Sequence, residues 1–355
     1  MGTRRRPAGL RIYTSLLAAS LLFSPSVVAA QPALQKVVTQ SNVTSSSFTS
    51  IHTALQAKKS EVQGKRYKKL HVDTQGSAVI AVRQAKAQGR TSVAKQLSHI
   101  SKTPQARWFG DWNSVATVKS DVAAYIRAAN KAKARPTMVL YAIPGRDCGQ
   151  YSAGGLDAKT YKKWINKVAA GIKGAKPLIV LEPDSLALDC GGKTRNNLLK
   201  YATKKLTKAG AWVYLDGGHS NWRTPKAMAT RLKAAGISHA RGFATNVSNF
   251  NSTSAEKRYA KKVSAALRQQ KVTAAHRHYI VDTSRNGKGP KSGEWCNPSG
   301  RGLGKKPKLY TGSGALDGLL WIKRPGESDG TCNGGPSAGQ WWESYALTLV
   351  KNRAK

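Results

Sequence analysis

The chain has 355 residues, 40% of them hydrophobic, with 59 Lys and Arg against 17 Asp and Glu and a formal charge of +42. That apolar content supports a sizeable core and excludes wholesale disorder, and the length admits one large domain or two ordinary ones. Past residue 30 no run stays apolar for 18 residues, so no membrane span is expected there.

Residues 1–30 read as a signal peptide. "TRRRPAGLR" is its positive part, "IYTSLLAASLLF" its apolar part, and "SPSVVAA" a small-residue cleavage site ending at Ala30. The expected product is secreted and extracellular, and losing Arg4, Arg5, Arg6 and Arg11 takes its charge from +42 to +38. Residues 31–67 read as an extension, Ser/Thr-rich in "VTQSNVTSSSFTS" and basic in "QAKKSEVQGKRYKK". One domain is expected over 68–355.

Within it, apolar runs alternate with helix-like segments. The runs are "TMVLYAI" (137–143), "PLIVLE" (177–182), "AWVYLD" (211–216), "ARGFATN" (240–246), "HYIVDT" (278–283) and "GLLWIK" (318–323). Segments such as "DAKTYKKWINKVAAGIKGA" and "TRNNLLKYATKKLTKAG" lie between them. Strand followed by helix, repeated, predicts a parallel sheet covered by helices, and uninterrupted apolar runs fit strands buried on both faces. The number of units favours a barrel over an open sheet.

The acids follow that pattern. Asp147, Glu182, Asp184, Asp189, Asp216, Asp282, Glu327 and Asp329, eight of the 17, lie on or just past the ends of predicted strands. That end is where α/β barrels keep their active sites. A single Asp there is most simply an N-cap for the next helix, but a ring of acids points to chemistry. Several carboxylates at one mouth suit glycoside hydrolysis, which pairs a protonated carboxyl with an ionised one. Trp108, Trp222 and Trp295 sit in "RWFGDW", "GGHSNW" and "GEWCNPSG", read as loops, where an indole can cover a sugar face. The four cysteines, Cys148, Cys190, Cys296 and Cys332, suit two disulfides in an oxidising compartment. Three pairings are open; the favoured one joins Cys148 to Cys190 and Cys296 to Cys332. No CxxC pair is present and His residues are few, so neither a metal nor a cofactor is expected.

Six stretches then occur in order: "VLYAIPGRDCGQYSAGG", "LEPDSLAL", "YLDGGHSNW", "ATNVSNF", "VDTSRNGKGP…GEWCNPSGRGLG" and "LLWIKRPGESDG". Together they resemble glycoside hydrolase family 6, the inverting cellulases of bacteria and fungi. The resemblance implies a distorted, partly open (β/α) barrel with fewer than eight regular parallel strands. It implies a secreted, monomeric β-1,4-glucanase, with an exo-acting cellobiohydrolase or a non-catalytic polysaccharide-binding relative as alternatives. Asp184 matches the general acid, Asp147 the carboxylate that keeps it protonated, and Asp329 the proposed base. Tyr141 matches a tyrosine beneath the distorted sugar. Trp108, Trp222, Trp295, His219, Asn246, Lys323 and Glu327 match positions that contact glucan, Asp216 a further acid in the cleft, and Ser152 a loop folding over it. In this light the favoured disulfides tie the Asp147 loop to the loop after Asp184, and the Trp295 loop to Asp329. Short segments at 185–197 and 297–316, where roofing loops would lie, suggest an open, endo-acting cleft.

The charge is not explained by the resemblance. Lys is spread over nearly every helix, and no nucleic-acid-binding motif accompanies it. Non-specific adsorption to anionic polymers at low salt is expected instead.

Overall fold

In a computed structural model the described residues are 69–354, apart from Lys173 and Thr311. The expected signal peptide, the 31–67 extension and the boundary at 68 lie outside them. Eight strands form one sheet: β1 (Arg107–Gly110), β2 (Thr137–Tyr141), β3 (Leu178–Leu181), β4 (Trp212–Asp216), β5 (Gly242–Thr245), β6 (His278–Asp282), β7 (Lys308–Leu309) and β8 (Leu316–Leu320). Their order is β1-β2-β3-β4-β5-β6-β8-β7. Every pairing is parallel except β7 with β8, so seven strands make the parallel wall.

The two faces of these strands bury different things, as a period of two requires. Val139, Tyr141, Val180, Tyr214, Ala244, Ile280 and Leu320 fill the barrel interior. Their neighbours Met138, Leu140, Ile179, Leu181, Val213, Phe243 and Val281 pack outward against helices. Both faces are apolar, which is why the runs stood out in the sequence. At the start of β5, a Cβ on Gly242 would lie 1.8 Å from the His278 carbonyl oxygen, so only glycine lets β5 approach β6.

β1 was not among the predicted strands. Its four residues, "RWFG", start with a cation and only the last two are buried, so no apolar run marks it. Trp108 therefore stands on a strand and not in a loop. No ladder joins β1 to β8 among the described residues. The gap is spanned by Ala106 N–H on the Trp321 carbonyl (2.9 Å) and by the Trp108 indole N–H on that of Ile322 (2.9 Å). The barrel is partly open there.

Helices α1 (Ser77–Ala87), α2 (Thr91–Ser101), α3 (Val118–Lys131), α4 (Ala158–Ile172), α5 (Gly192–Lys208), α6 (Pro225–Ala234), α7 (Thr253–Gln269) and α8 (Glu343–Lys351) cover the wall. On α4, Tyr161, Trp164, Ile165, Val168 and Ile172 recur every three or four residues and form its buried stripe. Asp157 caps α4 through the Lys159 and Thr160 amides; Thr224 and Ser252 cap α6 and α7. α1, α2 and α8 share a separate cluster around Leu97, Ile100, Trp321 and Leu349. None of the described helices is long and apolar enough to cross a membrane.

The N-terminal end of the barrel is plugged. Arg135 and Arg241 stack over the Trp212 ring at 3.8 and 4.0 Å, and Asp317 gathers Arg241, His278 and the Tyr214 hydroxyl. The other end is left for a site.

Candidate active site

A cavity of about 1150 Å³ opens at the C-terminal ends of the strands. Asp147, Asp184, Glu327 and Asp329 all line it, as do Tyr141, Ser152, His219, Lys323 and Trp108, Trp222 and Trp295. The other four acids of the ring do not. Glu182, Asp216 and Asp282 are buried behind the wall, where their oxygens take backbone amides. Asp189 is exposed elsewhere, paired with Arg223 and Arg231. Asn246 is also fully buried, its amide donating to the carbonyls of Asn251 and Asp282.

The turns that present the site have left-handed backbone at residues other than glycine: Asp147 (φ 56°), Glu182 (51°), Asp184 (67°), Asn246 (66°), Ser248 (61°) and Asn297 (48°). Each such residue costs about 1–2 kcal/mol, which buried polar contacts must offset. Glu182 does so by accepting from the amides of Ala142 and Ile143 (2.9 and 3.1 Å), fixing the chain after β2 to the chain after β3. Burial pushes the Glu182 carboxyl up to about 7.

Asp184 lines the cavity and is partly buried. Its backbone N–H donates to Asp216 Oδ2 at 2.8 Å. Burial raises the Asp184 carboxyl well above the usual carboxylate range, and the charges of Asp216, Asp147 and Asp329 raise it further against Lys323. Asp216 is pushed up to about 7, chiefly by burial, but two backbone amides, Asp184 and Gly218, favour its charged form. Asp184 is therefore the one of this pair that keeps its proton. Asp147 is raised by burial, moderated by the Ser152 amide on its Oδ2 (2.8 Å).

Asp329 is the opposite case. Burial alone would raise it, but Arg285 (2.9 Å) and Lys323 (3.2 Å) outweigh burial and hold it below the usual range. Asn297 adds a reciprocal pair: its N–H donates to Asp329 Oδ2 (3.1 Å), and its Oδ1 accepts the Asp329 N–H (2.8 Å). A proton-holding carboxyl and an ionised one thus face one cavity, the requirement for acid–base cleavage of an acetal.

The aromatic walls are set by packing. Trp108 meets Tyr141 edge to face at 5.4 Å, and burial keeps the Tyr141 hydroxyl protonated. His219 packs on Trp222 at 5.3 Å; burial pushes its pKa down to about 4, leaving a neutral ring. Trp295 is half exposed and leans on Tyr151 at 5.9 Å. Glu327 accepts from the Ser77 hydroxyl (2.6 Å) and Arg324 (3.3 Å).

Cys148 is joined to Cys190 and Cys296 to Cys332. The first disulfide links the Asp147 turn to the chain after Asp184; the second brackets Trp295, Asn297 and Asp329. The expected roof segments contribute little: among the described residues, only Leu188 of 185–197 and none of 297–316 line the cavity. The walls come instead from stretches within 146–153, 290–295 and 337–340.

Several site residues were not singled out in the sequence. Trp112, 58% exposed, and Tyr151 line the cavity as further ring faces. Tyr151 packs so closely that a Cβ on Gly330 (φ 155°) would lie 2.5 Å from it. Arg146 binds Asp111 (2.5 Å) and the carbonyls of Tyr141, Ser152 and Ala153, stapling the Asp147 loop to β1 and β2. Arg285 and Arg146 both stood inside the resembling stretches; a cation amid small residues just past a strand was the available signal.

The model of the family described as "Glycosyl hydrolases family 6" matches residues 65–353. Endoglucanase A of Cellulomonas fimi is 47% identical over 259 residues, 72% of this chain and 56% of that protein. Endoglucanase A of Thermobispora bispora is 41% identical, covering 73% of this chain and 58% of its own length. The chain thus spans little more than half of either relative. Among solved structures, the endoglucanase Cel6 from Mycobacterium tuberculosis, in complex with methyl-cellobiosyl-4-deoxy-4-thio-β-D-cellobioside, superposes with a TM-score of 0.73. It is 42% identical, with 80% of this chain and 97% of that one covered.

Proposed function

The chain belongs to the glycosyl hydrolases of family 6, and from that premise we propose that it is a secreted β-1,4-glucanase, cutting cellulose or related glucans within the chain and with inversion. The observation that carries this reading is one cavity lined both by Asp184, whose neighbours are other carboxylates, and by Asp329, paired with Arg285 and Lys323. Relatives named endoglucanases at 47% and 41% identity support it, as does the related endoglucanase solved with a thio-linked cello-oligosaccharide.

Asp184 gives its proton to the glycosidic oxygen as the C1–O bond breaks. Water attacks C1 from the opposite face, and its released proton passes to Asp329. An inverting pair needs about 6.5–9.5 Å between carboxyls to admit that water. Arg285 and Lys323 keep Asp329 ready to accept, and Asp147 keeps Asp184 ready to donate. Tyr141 supports the ring that flattens toward an oxocarbenium ion, and Trp108, Trp222 and Trp295 offer faces for flanking sugars. His219, Lys323, Glu327 and Ser152 supply polar contacts along the groove. Asp216 and Asn246 act from behind it by holding the turns that carry the reacting groups. The enzyme is taken to work as a monomer, and its excess of cations to draw it to anionic polymers at low salt.

Hydrolysis of a soluble mixed-linkage glucan, followed by proton NMR, tests this reading. The α-anomer should appear first, and viscosity should fall faster than reducing ends accumulate. Asp184→Ala should lower turnover by about 10²–10⁴-fold. First appearance of the β-anomer, or unchanged turnover in that variant, would remove the mechanism.

A further inference from the structure

Helices α4, α5, α6 and α7 carry four, six, three and five Lys or Arg in turn. Against them stands one acid, Glu256, and it is fully buried. No exposed residue of these four helices is acidic. Lys159, Lys163 and Lys167 form an exposed i, i+4, i+8 row on α4; Lys200, Lys204 and Lys208 form another on α5. Successive members of a row stand about 6 Å apart along the axis. The helices neighbour one another, α4 against α5 and α6 against α7. What the sequence displayed as Lys spread over many helices is, on the folded chain, a set of helix surfaces with no exposed acid of their own, flanked by Asp157 at the start of α4 and by Asp189, which pairs with Arg231 of α6.

Solubility does not require such a face. A solubilising surface mixes signs, and like charges at i, i+4 weaken their own helix. Elsewhere this chain does mix them, with Arg90 on Glu343 and Lys291 on Glu294. Nor does the face offer rings for bases to stack on. The exposed large apolar side chains, Ile80, Trp112, Tyr151, Trp295 and Tyr310, all lie off these helices. Tyr201 of α5 is attended by the ammonium groups of Lys162 and Lys205, at 5.7 and 5.6 Å from its ring.

We propose that the α4–α7 face binds a carboxylated polysaccharide, a uronic acid chain, by charge, holding the enzyme beside glucan mixed with such chains. The choice of a saccharide rests on the glucanase reading; the anion-binding face does not.

Two fourfold charge reversals separate this face from net charge. One is Lys163→Glu, Lys167→Glu, Lys200→Glu and Lys204→Glu. The other makes the same change at Lys86, Lys95, Lys102 and Lys351, which are exposed on or beside α1, α2 and α8. The full chain should be retained on immobilised polygalacturonate at about 50 mM NaCl and released by about 300 mM. The α4–α7 variant should lose affinity by about tenfold or more and show a shallower salt dependence; the second should lose about threefold or less. Equal losses in both, or no retention of the parent chain, would overturn the proposal. Tighter binding to duplex DNA than to polygalacturonate at equal salt would reassign the face to nucleic acid. Hydrolysis of neutral hydroxyethyl-cellulose should be unchanged in both variants. Should the first lose it, Lys→Gln at the same four positions replaces it, with a smaller loss of affinity expected and none overturning the idea. Retention by the parent chain without hydrolysis would sink the glucanase reading and leave the anion-binding face standing.

Discussion

Asp216 decides how long Asp184 keeps its proton. In the sequence it was one more acid at a strand end, matched to the cleft; in the fold it lies beneath Asp184 and takes that residue's amide. Among charges acting on Asp184 it ranks ahead of Asp147, the residue credited with this effect by family resemblance. Asp216 ionises only near 7, so its charge grows over the pH range in which Asp184 must stay protonated. Removing that charge lowers the Asp184 pKa, and because Asp184 works as an acid, the alkaline limb of kcat/KM must move to lower pH. Asp216→Asn should shift it more than Asp147→Asn, since an asparagine oxygen can still accept the Asp184 amide. The acid limb should hold in both variants, because Arg285 and Lys323 keep Asp329 low. A pH profile with an unmoved alkaline limb in Asp216→Asn would show that burial alone protonates Asp184. No one-dimensional pattern could have ranked these neighbours; the residue types were visible, their order of influence was not.

Strands buried on both faces announced themselves, and six apolar runs became β2 to β6 and β8. β1 did not, because an edge needs fewer apolar residues than a centre. The same weakness leaves a seam between β1 and β8 that polar side chains close. Asp73, 7% exposed, accepts from Arg107 (2.8 and 3.0 Å), Arg324 (2.7 Å) and the Gln75 amide (3.0 Å). Arg324 also reaches Glu327 on the cavity wall, so the seam and the site share a side chain. Asp73→Ala leaves two partly buried guanidinium groups facing each other, and should cost about 2–3 kcal/mol in urea unfolding. KM should rise in the same variant while kcat holds, since Glu327 is displaced but Asp184 and Asp329 are not. Lowered stability with KM unchanged would mean that Glu327 is held by Ser77 alone.

At the scale of the molecule, the barrel was legible from the alternation of runs and helices, but the distribution of charge was not. Spread along the chain, Lys looked uniform; wrapped around a barrel, many of the acids fall at the C-terminal strand ends, and the exposed charges of α4–α7 are all cations. A chain with a formal charge of +42 repels itself, and the repulsion is sharpest where rows of like charge lie side by side. Neighbouring helices pack about 8–10 Å apart. Raising NaCl from about 20 to about 200 mM shortens the Debye length from about 20 Å to about 7 Å, below that spacing. Salt should therefore stabilise this protein, where one resting on surface ion pairs would lose stability. The exposed like-charge i, i+4 pairs on α4, α5 and α7 total about 2 kcal/mol, a rise of about 3–5 °C in Tm once screened. Scanning calorimetry checks it with a built-in control, because reversing only Lys163 and Lys204, the middle members of the two rows, to Glu converts all four repelling i, i+4 pairs of those rows into attracting ones. In that variant the gain with salt should shrink or change sign. A Tm that falls with salt in the parent chain would show that the pairs around Asp73, Asp317 and Asp329 outweigh the repulsion of the helical face.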